Sequence, residues 1–343
     1  MRANGPIEDV LIVGGGTSGW MTAAYLQKAF GDAVRVTLME APAIPKIGVG
    51  EATIPNLQTS FFDFLKIPEE EWMREVNGAF KVGVKFINWR KRDEGAPNNH
   101  FYHPFGILPY VQGSHLPQHW FFSDRGERTP FDYACFREPY AMDALRSPRR
   151  MDGSKAMPYA WHFDAHLVAD FLSRWAQARG VTQILDQIDR VELDEQGFIK
   201  QVHTKEGRKL RADLYVDCSG FRGLLINQAL KEPFIDMRGY LLCDSAVAAP
   251  IPNDDARLGI DPYTSSIAMK AGWTWKTPML SRHGSGYVYS SKFLSEDEAA
   301  RDFCDLWGLD PNAVNLNRIR FRTGCNERSW VKNCVSIGLS SAF

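Results

Sequence analysis

Cysteine is sparse and scattered in this chain. Six cysteines (Cys135, Cys218, Cys243, Cys304, Cys325, Cys334) are spread over 343 residues with no C-x-x-C pair, and no histidine cluster stands at metal-ligand spacing. Neither a zinc site nor a disulfide framework is indicated, and a reducing cytoplasm suits such a chain. No apolar run approaches the length that crosses a bilayer, and the N-terminal MRANGPIEDV lacks an apolar signal core. The expectation is a cytoplasmic protein that does not associate with membranes. Net charge is also missing: 40 Lys plus Arg against 41 Asp plus Glu leave -1, which gives no general attraction to nucleic acid or to an anionic surface. Local basic clusters such as Arg146, Arg149 and Arg150 read as solvated surface. What remains is an ordinary globular composition, 44% hydrophobic and 24% charged, long enough for one large core or two coupled ones.

The chain is organised around Val10 to Gly19, VLIVGGGTSG. Four apolar residues read as a buried parallel strand, and Gly14, Gly16 and Gly19 follow at G-x-G-x-x-G spacing before a helical pattern from Trp20. The first glycine allows the tight turn, the second lets a pyrophosphate approach the backbone, and the third lets the helix pack on the strand. The pyrophosphate would sit on the helix N-terminus, whose unpaired N–H groups face it. A tight turn with no ligand is the competing reading of the triplet alone. A second strand, Val34 to Met39, ends in Glu40, about 20 residues beyond the last glycine, where a ribose-binding carboxylate belongs. An acid there suits a free 2′-hydroxyl, which points to FAD or NAD rather than NADP.

Beyond the loop Ala41 to Pro45, Gly48 and Gly50 flank Val49 and let backbone approach a flat ligand, with the Glu51 carboxylate beside them. A turn capped by Glu51 is the alternative. Asn56 to Leu65 carries an aromatic helical face, the usual mark of core. Phe80 to Trp89 alternates as one strand, with Lys81, Gly83, Lys85 and Ile87 on one face. Those lysines mark a solvated surface, or else Lys81 is buried and its amine becomes a nucleophile or proton donor. His100 to Gly106 either forms a pocket wall, stacking a flat substrate on His103 and Phe105, or packs in the core. Gln112 to Pro158 reads as an irregular surface excursion. The segment from Ala160 starts a helix with Asp164 as N-cap and Leu167, Phe171, Leu172 and Trp175 as its buried stripe. His162 and His166 stand four apart, but no third metal ligand is evident. Ile184 to Val202 reads as short antiparallel strands turning at Asp194 to Gly197. Leu210 to Gly223 returns with a strand and a second small-residue turn, placing Asp217 to Gly220 beside the first turn to complete the cofactor groove. Sheet is also expected over Ser265 to Met269 and Gly286 to Tyr289. Trp273 and Trp275 share one strand face, as a rigid apolar wall or as core.

Several of these stretches together carry a resemblance. Gly14-Gly15-Gly16-Thr17-Ser18-Gly19-Trp20, Gly48 to Pro55 (GVGEATIP), the strand containing Lys81, and Trp273 to Pro278 (WTWKTP) resemble the FADH2-dependent tryptophan halogenases. Trp161 to Leu172 and Asp217 to Leu230 support the same match. The likeness spans nearly the whole chain and is greatest to the tryptophan 7-halogenases of pyrrolnitrin and rebeccamycin biosynthesis. It implies an α/β fold: a three-layer, Rossmann-like FAD-binding domain of flavin monooxygenase type with an inserted antiparallel sheet. One domain would run over 1–343, with 80–160 and 235–330 contributing the substrate side. It further implies a separate NADH-dependent flavin reductase that supplies FADH2, and O2 with chloride or bromide as co-substrates yielding hypohalous acid. That oxidant would reach a lysine matching Lys81, which holds it as hydrogen-bonded HOCl or as a chloramine for attack on C7 of L-tryptophan. Gly14, Gly16, Thr17, Ser18, Gly19, Glu40, Gly50, Glu51, Ala52, Ile188 and Leu339 match flavin positions, and His103, Phe105, Ile54 and Pro55 match substrate positions. A homodimer is compatible with the resemblance, and no metal is implied.

Two departures qualify it. Thr277 stands where the family's W-x-W-x-I-P motif has Ile, a buried hydroxyl in place of a methyl. The chain also ends at Phe343, before the segment that in the family holds the chloride-binding backbone, a glutamate that works with the lysine, and a helical region closing the tryptophan pocket. The resulting expectation is a truncated chain that retains partial FAD binding at most and does not halogenate by itself. The alternatives are an aromatic flavin monooxygenase, a halogenase acting on another indole, a pyrrole or a phenol, and an inactive FAD-binding protein.

Overall fold

The computed structural model describes residues 5–42, 48, 50–90, 99–123 and 129–343. Ile47, Val49 and most of the loop from Ala41 to Pro45 lie outside the described residues. The chain divides into two compact units, one built from 1–48, 165–244 and 320–343, the other from 49–164 and 245–319.

The first unit is a doubly wound sheet. Its strands run in the order Thr182–Leu185, Arg35–Glu40, Asp9–Val13, Leu214–Asp217, Cys334–Ser336, Trp330–Val331. All neighbours are parallel except the last pair. Buried on both faces, Asp9–Val13 needs the continuous apolar run its sequence shows. The helices Thr17–Phe30 and Ala165–Gln177 pack on each other. An antiparallel sheet of Ile188–Leu193, Ile199–Thr204 and Lys209–Leu210 contributes Ile199 and Val202 to a core shared with Leu11, Met39 and Tyr215. These are the three layers that the resemblance implies. Strand order reverses between Asp9–Val13 and Leu214–Asp217, the place where an open α/β sheet leaves a crevice at its carboxyl edge.

Two expectations are corrected in this unit. Ile184 belongs to a parallel strand of the main sheet, and antiparallel pairing begins only at Ile188. The helix after Asp164 buries Ala165, Val168, Ala169, Leu172 and Ala176, whereas Leu167, Phe171 and Trp175 are only half-buried. A close helix pair selects the small residues for its seam.

In the second unit, Ser245–Pro252, Arg282–Tyr289, Gly272–Met279, Tyr263–Met269, Gly83–Ile87 and His100–Pro104 are neighbours in that order. The helix Glu296–Trp307, opened by a capping box between Ser295 and Glu298, packs Ala299, Ala300 and Phe303 against Val247, Ala249 and Tyr287. A smaller antiparallel sheet places Ala160–Phe163 between Glu51–Ala52 and Ala79–Lys81. The aromatic face after Asn56 forms around a π-helical turn, Gln58–Phe62. It is core, with Phe62 stacked on Trp72 at 4.2 Å and both set against Trp161.

The single strand expected over Phe80 to Trp89 is two strands. At Val82 the N–H donates to Pro262 and the carbonyl accepts from Phe105, so the chain changes sheets there. Ala79–Lys81 then pairs in the small sheet and Gly83–Ile87 in the large one. The stretch from Gln112 to Pro158 is also more regular than expected. It contains the helices Leu116–Phe122, Phe131–Cys135 and Glu138–Asp143, anchored by the buried Asp132, whose carboxylate accepts the Tyr102 N–H at 2.8 Å.

Asp217 ends its strand fully buried and accepts from the N–H groups of Ser219 (3.0 Å), Leu225 (2.7 Å) and Ile226 (2.9 Å) and from the Ser219 hydroxyl (2.6 Å). Replacing it strands several buried donors. Asp217→Ala is expected to lower stability by about 3 kcal/mol in urea unfolding, and a loss below about 1 kcal/mol would contradict this account.

Candidate functional site

The glycine turn does what its spacing promised. Gly14 has φ +117, and a Cβ on it would lie 2.2 Å from the Cys218 carbonyl oxygen, so the two strand ends approach backbone to backbone. A Cβ on Gly19 would lie 1.8 Å from the Gly14 carbonyl oxygen, which is the tight packing of helix on turn. At Gly16 a Cβ would meet nothing within 4 Å. Gly16 caps the helix Thr17–Phe30 without a side-chain hydrogen bond, and no acidic residue stands in the first turn. The helix start therefore offers bare N–H donors beside open space, the arrangement that receives a phosphate.

That space belongs to a cleft of about 600 Å³ lined entirely from the first unit. Gly14, Gly16, Ser18, Glu40, Ile188 and Leu339, all among the positions matched to flavin by resemblance, line it. Glu40 ends its strand with Oε1 accepting from the Gln183 amide at 2.6 Å, which orients the carboxylate. From the second turn come Cys218, Ser219 and Gly220, while Asp217 stays behind them as their anchor. Thr17 does not line the cleft, because its hydroxyl donates to the Ala165 carbonyl at 3.0 Å and ties the helix pair together. Sequence reasoning missed Arg190 and Arg222, two cations at the cleft. Arg222 lies within the Asp217 to Leu230 stretch, which was read for its small residues and not for its cation, and Arg190 falls in no local motif and is delivered by an antiparallel strand. A phosphate-receptive helix start, a ribose-type carboxylate and a cleft of this volume fit an adenine dinucleotide such as FAD.

The other proposed residues sit in the second unit. Glu51 pairs with Phe163 and Ala52 with His162. Gly50 lies against Met279, whose Cε is 2.7 Å from where its Cβ would be. Burial, reinforced by the Asp164 charge, holds the Glu51 carboxyl above the usual range. Asp164 itself accepts from Arg282 Nη2.

Lys81 is the decisive placement. It is 5% exposed, so the solvated-face reading does not hold for it. Desolvation brings its ammonium down to about 8 from an ordinary 10.5. Nζ donates to the Thr53 carbonyl at 2.9 Å and lies 5.4 Å from the centre of the Phe105 ring. Lys85 goes elsewhere, with Nζ 3.9 Å from an Asp143 carboxylate oxygen and over the Tyr102 ring. Phe105 is half-buried, His103 exposed, Pro55 half-buried and Ile54 58% exposed. His162 is fully buried beside the lysine, with Nε2 2.8 Å from the Thr264 hydroxyl. Burial first, then the Lys81 charge, keeps its ring neutral. Among the described residues, no group of histidine, cysteine and carboxylate side chains could hold a metal ion, and no helix is long and apolar enough to cross a membrane. Thr277 is buried opposite Gly284. Trp273 and Trp275 lie on one face, half-buried, with ring centres 6.3 Å apart.

Comparison with known proteins gives this arrangement a family. The tryptophan 7-halogenase RebH of Lentzea aerocolonigenes is 59% identical over 353 residues, covering 99% of this chain and 66% of RebH. The tryptophan 6-halogenase ThaL of Streptomyces albogriseolus is 54% identical over 349 residues, covering 98% and 66%. The chain thus spans 66% of the length of these two relatives. Among solved structures, the tryptophan 6-halogenase SttH of Streptomyces toxytricini superposes with a TM-score of 0.92 at 44% identity, covering 98% of this chain and 68% of SttH. Tar14, a tryptophan C-6 flavin-dependent halogenase from taromycin biosynthesis, gives 0.92 at 45% identity over 98% and 67%. Residues 9–343, from the first strand through both the glycine cleft and the lysine sheet, match the tryptophan halogenase family, and the chain belongs to it.

Proposed function

We propose that this chain carries the flavin cleft and the oxidant-directing lysine of a flavin-dependent tryptophan halogenase acting at indole C7. The observation that carries the reading is Lys81, a buried cation whose one hydrogen bond among the described residues goes to a backbone carbonyl. An ammonium has three donors, so two remain for a ligand. Gly14, Gly16, Ser18, Glu40, Ile188 and Leu339 would hold FAD in the cleft. Bound as FADH2, it would supply two electrons to O2, and the halide two more, so that one oxygen leaves as water and the other is held in hypohalous acid.

Lys81 then acts on that acid. Its ammonium donates a hydrogen bond to the oxygen of HOCl, which withdraws electron density from chlorine and makes it the electrophile. As chlorine passes to the indole carbon, the leaving hydroxide takes a proton from the ammonium and departs as water, and the amine takes back the proton that the ring carbon loses. An indole laid on Phe105 stands beside the ammonium, because the ring centre is 5.4 Å from Nζ, and fixing one ring edge there selects the carbon that reacts. Thr53 borders the same amine through its carbonyl, Ile54 and Pro55 follow it in the chain, and His103 stands two residues from Phe105. A separate NADH-dependent flavin reductase and L-tryptophan are the partner and substrate that suit this chemistry. Position C7 is supported by the 7-halogenase named above at 59% identity, against a 6-halogenase at 54%.

The test is chlorination in air with FAD, NADH, a flavin reductase, chloride and L-tryptophan, read by mass spectrometry and NMR. With the chain carried in a protein of its relatives' full length, the expected product is 7-chlorotryptophan. Product at C5 or C6 overturns the position, and no halogenated product overturns the activity. Lys81→Ala is expected to lower the chlorination rate at least about 100-fold with flavin affinity unchanged. Because the working form is the ammonium and its pKa is about 8, the rate is expected to fall as pH rises through that value; a rate that rises there would favour the neutral amine and a chloramine. Gly16→Val fills the open space at the helix start, and titration is expected to show flavin binding weakened more than about tenfold in a protein that still folds.

A further inference from the structure

Strand pairing beside Lys81 contains an exchange of partners. Glu51 stands opposite Phe163 and Ala52 opposite His162, which puts Thr53 opposite Trp161. The Thr53 N–H donates to the Trp161 carbonyl at 3.0 Å, as a continuing antiparallel ladder requires. The return bond is not the usual one. The Trp161 N–H is accepted at 2.9 Å by the Thr53 hydroxyl, and that hydroxyl also donates to the Trp161 carbonyl at 2.8 Å. The Thr53 carbonyl, released from the ladder, accepts from Lys81 Nζ at 2.9 Å.

The approach of the lysine fits this exchange. Lys81 is paired with Ala160 on the central strand, so their side chains share a face. Ala160 is fully buried and offers only a methyl, over which the lysine chain crosses to reach Thr53 on the far side. The titratable neighbour on the central strand is His162, held neutral by burial. From the stretch after His100–Pro104 comes the Phe105 ring. Among the described residues no carboxylate bonds to Lys81, and the Thr53 carbonyl is its one acceptor.

We propose that Thr53 is the positioning residue for Lys81: its hydroxyl replaces its own carbonyl in the strand ladder and thereby gives that carbonyl to the ammonium. The catalytic consequence rests on the halogenase reading above, whereas the exchange itself does not. A threonine is needed because its hydroxyl both accepts and donates within reach of its own backbone. Valine has the same shape without that capacity.

The experiment compares Thr53→Val and Thr53→Ser in two readouts. One is the titration of Lys81 Nζ by lysine-selective 15N NMR, assigned by the signal lost in Lys81→Arg; the other is steady-state chlorination. In Thr53→Val the Trp161 N–H reclaims the backbone carbonyl. The Lys81 midpoint is expected to fall by about one unit, and kcat by about tenfold with KM for tryptophan within roughly twofold. Thr53→Ser restores both. An unchanged midpoint in Thr53→Val, or a serine variant that behaves as the valine one, overturns the proposal. If Thr53→Val does not fold, Thr53→Ala tests the same exchange. A shifted midpoint with serine rescue in a protein that never chlorinates supports the exchange and overturns the halogenase reading instead.

Discussion

The first unit depends on two backbone turns meeting with nothing between them. Gly14 presses on the Cys218 carbonyl, and any side chain there would force the ends of Asp9–Val13 and Leu214–Asp217 apart. Parallel strands can lie side by side anywhere along a sheet, but a cleft opens only where the strand order reverses and both turns stay small. Asp217 makes the second turn small. A single buried carboxylate gathers three N–H groups and a hydroxyl, and so folds the chain back on itself without a bulky core. The mouth is left to Ser219 and Gly220, with Glu40 and Leu339 beside them.

In the second unit the corresponding constraint is a charge kept dry. An ammonium 5% exposed is tolerated because its stem lies over a methyl and its head reaches a carbonyl. The strand beneath it is immobilised from the other face. Glu69 accepts from the Tyr159 hydroxyl at 2.7 Å and from the Trp161 indole at 3.0 Å, while Arg149 closes the carboxylate at 2.9 Å. Trp72 and Phe62 pack edge and face against the same tryptophan. Polar bonds and aromatic packing thus fix the residues on both sides of Ala160, and an amine laid across a rigid strand is one whose direction is set before any substrate arrives.

Much of the first unit was legible because its signals are local. A buried parallel strand, a glycine spacing and an acid at the right distance occupy 31 consecutive positions, Val10 to Glu40, and although the glycine triplet alone also reads as a bare turn, the three together point to one arrangement. The lysine site was legible only as a choice between solvent and burial. Alternation placed Lys81 and Lys85 on one face, yet the strand breaks at Val82, whose backbone bonds go to Pro262 and Phe105. No period-two pattern reports where a chain changes sheets. The helix after Asp164 shows the same limit in milder form: Leu167, Phe171 and Trp175 are the larger apolar residues, but the fully buried face is Ala165, Val168, Ala169, Leu172 and Ala176. Resemblance decided between the two readings of Lys81 and supplied Ile188 and Leu339, which no local rule would have selected. It did not supply Thr53, because the role of that hydroxyl exists only once Trp161 is opposite it.

The pairing of Val10 with Leu214 through Val13 with Asp217 has a temporal side. The ribosome adds about 5–20 residues per second, so the first strand emerges roughly 10–40 s before the partner that completes its cleft. Throughout that interval VLIV is an apolar segment whose neighbour on one side does not yet exist, while the second unit's earlier half, 49–164, waits in turn for 245–319. Neither unit can form by local accretion, and sequence separation of this size makes closure slow. Until the later segments arrive, the apolar face of the first strand is covered on one side only, and exposure of that kind invites association between nascent chains.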